Sequence, residues 1–209
     1  MRVLITAGPT REYIDDIRFI SNESTGLMGL ALAEEAYRRG FEVTLVLGPT
    51  SLPTMYGVRV IPVVSSEEMT ERTLAELGNG YDILISAAAL ADYTPFKKVG
   101  GKIRSGGKLT LKLKPTRKLI VEARKCFPDL KIVAFKAEYG GSVDEMVGEA
   151  KKLMPCADMV ILNDVSRNVF GCHETEAYIL CDGVKCLPRM PKKEAAKKIL
   201  DSIGGLLTG

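Results

Sequence analysis

The sequence has no tryptophan, a single histidine (His173), and no Cys-x-x-Cys pair among its five cysteines, Cys126, Cys156, Cys172, Cys181 and Cys186. Those gaps remove the usual zinc spacings, and no metal ligand is assigned. Cys181 and Cys186 flank Asp182-Gly183, a hairpin-turn pair, but a two-residue turn sets Cys181 opposite Val184. Reduced, packed thiols are therefore expected. No apolar run approaches the length of a membrane span, and Met1-Arg2 leads into an apolar strand instead of a signal peptide. This predicts no membrane partner and a cytoplasmic location. Charge of one sign is lacking too: 29 Lys and Arg face 26 Asp and Glu, a net +3, which gives no warrant for a nucleic-acid partner and leaves small anions as fitting ligands.

What is present is a normal globular core, 46% hydrophobic over 209 residues, expected as one domain spanning 1-209. Val3 to Ile5 is a buried strand that Gly8-Pro9-Thr10 stops. After Ser24-Thr25-Gly26-Leu27-Met28-Gly29, apolar residues continue at helical spacing to Arg39-Gly40. Ser24 or Thr25 is expected to cap that helix, while Gly26 and Gly29 allow close approach of a ligand and of the neighbouring strand. Exposed amides and the positive end of the dipole make such a mouth an anion site. The long polar insert Arg11 to Glu23, with Arg18 and Asn22, suggests that something besides a phosphate is held there.

Further strands are read at Glu42 to Leu47, Val58 to Val64, Tyr81 to Ala89, Lys131 to Phe135 and Asp158 to Leu162. Helices are read from Ser65-Ser66-Glu67-Glu68, over Lys118 to Phe127, over Val143 to Leu153, and over Lys192 to Ile203. Lys108 to Lys114 alternates Leu with Lys and Thr, which predicts a half-exposed edge or flap strand. Strands alternating with helices predict an α/β fold: a doubly wound, Rossmann-like, mostly parallel sheet with helices on both faces, a C-terminal β-hairpin and a flap. Ligands of such sheets sit beyond the carboxyl ends of the strands, where strand order reverses. The segments leaving those ends are Gly8 to Asn22, Ala87 to Lys102, Phe135 to Glu138 and Asn163 to Phe170.

Tyr93-Thr-Pro-Phe-Lys97 has the Tyr-x-x-x-Lys spacing of short-chain NAD(P)-dependent reductases, but that spacing works on a helix, which Pro95 opposes. The first turn also lacks GxGxxG, and the second strand ends at Leu47-Gly48 without a ribose-binding acid. A reductase stays open as an alternative, as does a non-catalytic nucleotide sensor. Ser86-Ala87-Ala88-Ala89 ends its strand in residues small enough for a ligand to lie against the backbone, and Asp92 follows as an acceptor. Lys102 lies between Gly100-Gly101 and Gly106-Gly107, on a loop able to swing over an anion.

Taken together, Gly8-Pro-Thr-Arg-Glu with Asp15, Ile17-Arg-Phe-Ile-Ser-Asn22, Ser24-x-Gly26-x-x-Gly29, Ala87-Ala-Ala-x-Ala-Asp-Tyr93, Lys102-Ile103, Phe135-Lys-Ala-Glu138 and Asn163-Asp-Val-Ser166 resemble the phosphopantothenate-cysteine ligases over nearly the whole chain. The resemblance implies that the carboxylate of 4'-phosphopantothenate attacks the α-phosphate of CTP, or of ATP, giving an acyl-nucleotide and pyrophosphate. The amine of L-cysteine then displaces the nucleotide. It implies Asn22 and Lys102 as catalytic residues, and Arg18, Asn22, Ala88 and Ala89 at the substrate, with Arg18 acting across a homodimer interface. Gly8, Ser24, Gly26, Gly29 and Lys151 are implied around the triphosphate with Mg2+; Ser86, Ala87, Ala88, Asp92, Phe135 and the segment Thr116, Arg117, Lys118, Leu119 around base and ribose; and Asn163 as a further nucleotide contact. The chain opens at the ligase's first strand, so no flavin is expected. It departs from the resemblance at Leu27 and Pro155, where lysines are usual, and at Arg104 in the flap.

Overall fold

The computed structural model describes residues 1–167 and 170–208. Elements follow in the order β1 (Arg2–Ala7), β2 (Glu12–Tyr13), β3 (Phe19–Ile20), α1 (Leu27–Arg38), β4 (Glu42–Leu47), β5 (Arg59–Pro62), α2 (Ser66–Leu77), β6 (Ile83–Ser86), β7 (Tyr93–Pro95), β8 (Leu113–Pro115), α3 (Leu119–Cys126), β9 (Lys131–Glu138), α4 (Val143–Lys151), β10 (Met159–Asp164), β11 (Glu174–Leu180), β12 (Val184–Pro191) and α5 (Lys192–Thr208). The main sheet has the order β12-β11-β10-β9-β6-β1-β4-β5. It is parallel from β10 to β5, and β11 and β12 extend it antiparallel. This is the doubly wound sheet that the alternation of elements predicts.

Alternate residues of the buried strands serve opposite faces. Val3, Ile5 and Ala7 join α1 and α5 in one core, while Leu4, Leu84, Ile132 and Val160 pack with α2, α3 and α4 in the other. The chain runs outward from β1 through β4 to β5, then returns to place β6 on the other side of β1. Strand order therefore reverses between β1 and β6, and a crevice opens beyond their carboxyl ends.

The insert after β1 carries a small hairpin that the sequence did not reveal, with Glu12 opposite Ile20 and Tyr13 opposite Phe19. Three local readings are corrected. Only the end of the 108–114 segment forms a strand, with Leu113 opposite Pro95. The rest forms no strand, and Leu109 and Leu111 stay exposed, so the alternation finds no face of its own chain to bury against. The β11–β12 connection is Cys181 to Gly183, pairing Leu180 with Val184, so Cys181 sits in the turn while Cys186 pairs with Tyr178. The last helix continues past Ile203 to Thr208. Tyr93 lies in a strand, as Pro95 requires, so its spacing to Lys97 creates no shared helical face.

Candidate functional site

At the mouth of α1, Gly26 adopts a left-handed conformation (φ 82°) as N-cap, and no side chain caps the helix. The expected cap by Ser24 or Thr25 is absent because Ser24 Oγ lies 3.4 Å from the Gly26 N–H, short of the helix, leaving the first helical N–H groups open to a ligand. A Cβ on Gly29 would lie 2.4 Å from Ala7 Cβ, so only glycine lets α1 rest this close to β1.

Asn22 is fixed beside this mouth. Its Nδ2 donates to the Ala89 carbonyl at 2.6 Å and its Oδ1 accepts from the Ser24 N–H at 3.1 Å. The side chain thereby ties the end of the insert to the segment leaving β6, and one amide hydrogen remains free to donate. Ala89 N–H in turn donates to Gly8 O at 2.9 Å, which keeps the small-residue segment against the β1 turn.

These elements wall a cleft of about 470 Å³ at the β1/β6 reversal. Its lining includes Asn22, Ser24, Gly26, Gly29, Ser86, Ala87, Ala88, Ala89, Asp92, Thr116, Arg117, Lys118, Leu119, Phe135 and Asn163, all expected from the sequence. Thr116 holds the 116–119 segment in place: its Oγ1 donates to Ala91 O at 2.6 Å and its N–H to Asp92 O at 3.0 Å. Lys118 Nζ pairs with Asp92. The Arg117 guanidinium turns away to Glu67 and Glu122, so this residue offers the cleft its stem and backbone. Asn163 Oδ1 is buried with no hydrogen-bond partner among the described residues, an acceptor still waiting for a donor.

The structure leaves four expected residues outside the lining. Gly8 (φ 84°) lies one layer behind it, since a Cβ on Gly26 would stand 3.1 Å from Gly8 Cα. Lys151 ends α4, exposed, with Leu153 instead reaching the cleft. Arg18 stands on the hairpin beside Asp15, at 3.4 Å. Lys102 is exposed on the flap loop.

That flap is not loose. Gly101 N–H donates to Asp16 Oδ2 at 2.6 Å, Ile103 N–H to Asp15 Oδ2 at 3.1 Å, and Val99 N–H to Ile14 O at 2.9 Å. The hairpin is itself anchored by the buried Glu12, whose Oε1 accepts from the Ser66 N–H at 2.9 Å and Oγ at 2.8 Å, at the positive end of α2. Burial of Asp15 opposes its charge, but the N–H groups of Ile17, Ile103 and Arg18 together with the Arg18 guanidinium outweigh it and hold its pKa below the usual aspartate value. The clip is therefore at full strength above the unfolded value of 3.8 and is lost as pH falls through the lower folded value.

Replacing Asp15 with Asn tests the clip. Its remaining oxygen can still accept from Ile17 and Arg18, but the new amide faces the Ile103 N–H donor to donor. Asp15→Asn is expected to accelerate hydrogen exchange and proteolysis at residues 99–107 while leaving the sheet amides unchanged; unchanged exchange in the flap would show that Asp15 does not hold it.

Lys136, Gly171, Thr175 and Lys192 also line the cleft, without a role assigned from the sequence, and Thr25, read there as a helix cap, lines it too. Lys136 and Phe170 lie in segments recognised as leaving strand ends, whereas Thr175 and Lys192 are brought in by the antiparallel return of β11 and β12. Residues 168 and 169 of the segment from Asn163 to Phe170 lie outside the described residues.

Fold and site together define a doubly wound α/β domain with a ligand cleft at its topological switch point. Residues 1–206 match the DNA/pantothenate metabolism flavoprotein C-terminal domain, and the chain belongs to that family. The coenzyme A biosynthesis bifunctional protein CoaBC of Thermococcus kodakarensis is 43% identical over 210 residues, covering 99% of this chain and 51% of that protein. The chain spans about half the length of the curated relatives it matches. The crystal structure of the C-terminal domain of a CoaBC protein superposes with TM-score 0.82 at 33% identity, over 99% of this chain and 95% of that one. The Cab2 H337A mutant in complex with phosphopantothenate-cysteine gives TM-score 0.76 at 16% identity, over 100% of this chain and 89% of that one, a likeness of fold.

Proposed function

We propose that this domain carries out the ligase step of coenzyme A biosynthesis, joining 4'-phosphopantothenate to L-cysteine at the expense of a nucleoside triphosphate, with CTP favoured over ATP. Membership of the family and the names of its relatives support the reading. The observation that carries it is the cleft itself, where Asn22, the uncapped mouth of α1 and the small-residue strand end of β6 meet.

In the first step a carboxylate oxygen of 4'-phosphopantothenate bonds to the α-phosphorus and the bond to the pyrophosphate oxygen breaks. In the second, the cysteine amine bonds to the acyl carbon, loses a proton, and the nucleoside monophosphate leaves. Neither step needs a protein nucleophile; both need positioning and stabilisation of developing charge. The α1 amides face the phosphates, and the free hydrogen of Asn22 Nδ2 serves the reacting acyl group. Ala87 to Ala89 leave room for base and ribose along the backbone, with Asp92 released from Lys118 to accept from the ribose. Mg2+ would be held by the oxygens of the triphosphate and water and would neutralise charge on the phosphates. No helix among the described residues is long and apolar enough to cross a membrane. The reaction is proposed to be cytoplasmic, where the relatives' coenzyme A biosynthesis would supply the substrates.

The flap and hairpin expose Ile17, Phe19, Tyr93, Phe96, Leu109, Leu111 and Leu113. A second copy of the chain is proposed to cover them and bring Arg18 to the partner's substrate phosphate. Sedimentation should then show a dimer, and a monomer with full activity would exclude a shared site.

Pyrophosphate release tests the function: purified protein, Mg2+ and 4'-phosphopantothenate, with CTP and ATP in parallel, with and without cysteine. Release that depends on phosphopantothenate is the expected result and identifies the nucleotide. Folded protein that releases none with either would remove the ligase reading.

A further inference from the structure

One cation lining the cleft has neither a role in the proposed reaction nor an acid partner among the described residues. Lys192, the first residue of α5, lines the wall shared with Asn163, Phe170, Gly171 and Thr175. Its own N–H donates to the His173 carbonyl at 2.8 Å, which fixes its backbone against the start of β11.

The other lining cations are matched by acids: Arg117 by Glu67 and Glu122, Lys118 by Asp92, Lys136 by Glu138. Lys192 is half-buried, and among the described residues no carboxylate stands at ion-pair distance from it. Burial pushes its pKa below the usual lysine value, and the nearby Cys172 sulfur offsets this only in part. It also sits at the positive end of α5, where a cation is disfavoured. Desolvation, the missing counterion and the dipole all act against this ammonium, and an anion in the cleft would offset all three.

The same wall touches the mouth of α1. A Cβ on Gly171 (φ 87°) would lie 3.6 Å from Thr25 Cγ2, so the loop two residues before His173 rests on the residue preceding Gly26. The mouth of α1 and the residue that opens α5 thus line the same cleft, joined by the loop before β11.

We propose that Lys192 is a phosphate-binding residue of this cleft, its ammonium contacting the polyphosphate of the nucleoside triphosphate opposite the α1 amides. The inference rests on the nucleotide reading of the cleft and adds a charged contact to it.

The test compares wild type, Lys192→Gln and Lys192→Arg in direct binding of CTP, ATP, cytidine and adenosine, with KM for the triphosphate and for 4'-phosphopantothenate measured in turnover. Lys192→Gln should weaken triphosphate binding on the order of tenfold, the scale of one charged hydrogen bond. Nucleoside affinity and the KM for phosphopantothenate should not change, and Lys192→Arg should recover most of the loss. Removing a half-buried unpaired charge should leave the melting temperature of the free protein equal or higher, which separates a binding loss from unfolding. Equal triphosphate binding by wild type and Lys192→Gln would overturn the assignment, as would an equal loss for nucleoside and triphosphate or a rise confined to the KM for phosphopantothenate. A wild type that binds neither triphosphate would instead remove the nucleotide reading, and Lys192 with it.

Discussion

Asn22→Ala is expected to abolish turnover while the protein still folds. The wild-type amide spans two segments, donating to Ala89 O at 2.6 Å and accepting from Ser24 N–H at 3.1 Å. Losing two such bonds costs about 1–3 kcal/mol of stability, tolerable in a domain with two well-filled cores. On the proposed mechanism the catalytic loss is larger, because the remaining N–H would be a preorganised donor to charge that develops in the reaction; loss of one such donor lowers kcat by about 10²–10³-fold. Asn22→Asp separates the two roles. It keeps an acceptor for Ser24 but sets a carboxylate oxygen against the Ala89 carbonyl and removes the donor, so the turn before α1 survives and activity does not. Rapid-quench detection of the acyl-nucleotide then reads the step directly. Accumulation of that intermediate in Asn22→Ala would place the residue in the cysteine step, its absence in the activation step, and wild-type turnover would remove it from the mechanism.

Much of this site was legible because its residues are set by local chemistry. Gly26 and Gly29 were legible as points of close approach, and Gly29 does let the helix rest on Ala7; that Gly26 is itself the left-handed N-cap, in place of a Ser24 or Thr25 side chain, was not. Ser86 to Ala89 end a buried strand in small residues because the backbone there must stay approachable. The pattern of strands and helices likewise forecast the doubly wound sheet, though not the hairpin of β2 and β3. Glu12 is the reason: a buried carboxylate at the start of α2, 54 positions away, organises that insert, and no local rule pairs the two. Lys192 was missed for the same kind of reason. On the sequence it belongs to a lysine-rich amphipathic helix with a solvated face, and only the return of β12 beside β11 carries that helix's first residue to the cleft. The over-reading of Lys108 to Lys114 has the opposite cause, a sound local alternation that is left exposed within its own chain.

Lys102→Gln should slow the activation step and spare the second. Lys102 is exposed and lies outside the cleft lining, on a loop clipped to the hairpin through Asp15 and Asp16. Asp16 is held charged by Lys98 and the Gly101 N–H, so the clip itself is charge-assisted and does not use the Lys102 ammonium. The flap can therefore keep its anchor in the variant, and the substitution removes the charge alone. If the ammonium reaches the phosphates only as pyrophosphate leaves, the loss is about 2–4 kcal/mol of transition-state stabilisation, or about 30- to 1000-fold in rate. Such a contact lowers kcat without raising KM for the triphosphate, the reverse of the pattern expected for Lys192→Gln. Pyrophosphate release should fall by that factor, while synthetic acyl-nucleotide supplied with cysteine should be consumed at the wild-type rate. A raised KM at unchanged kcat would make Lys102 a ground-state ligand of the nucleotide, and an unchanged rate of release would leave the flap lysine no part in the chemistry.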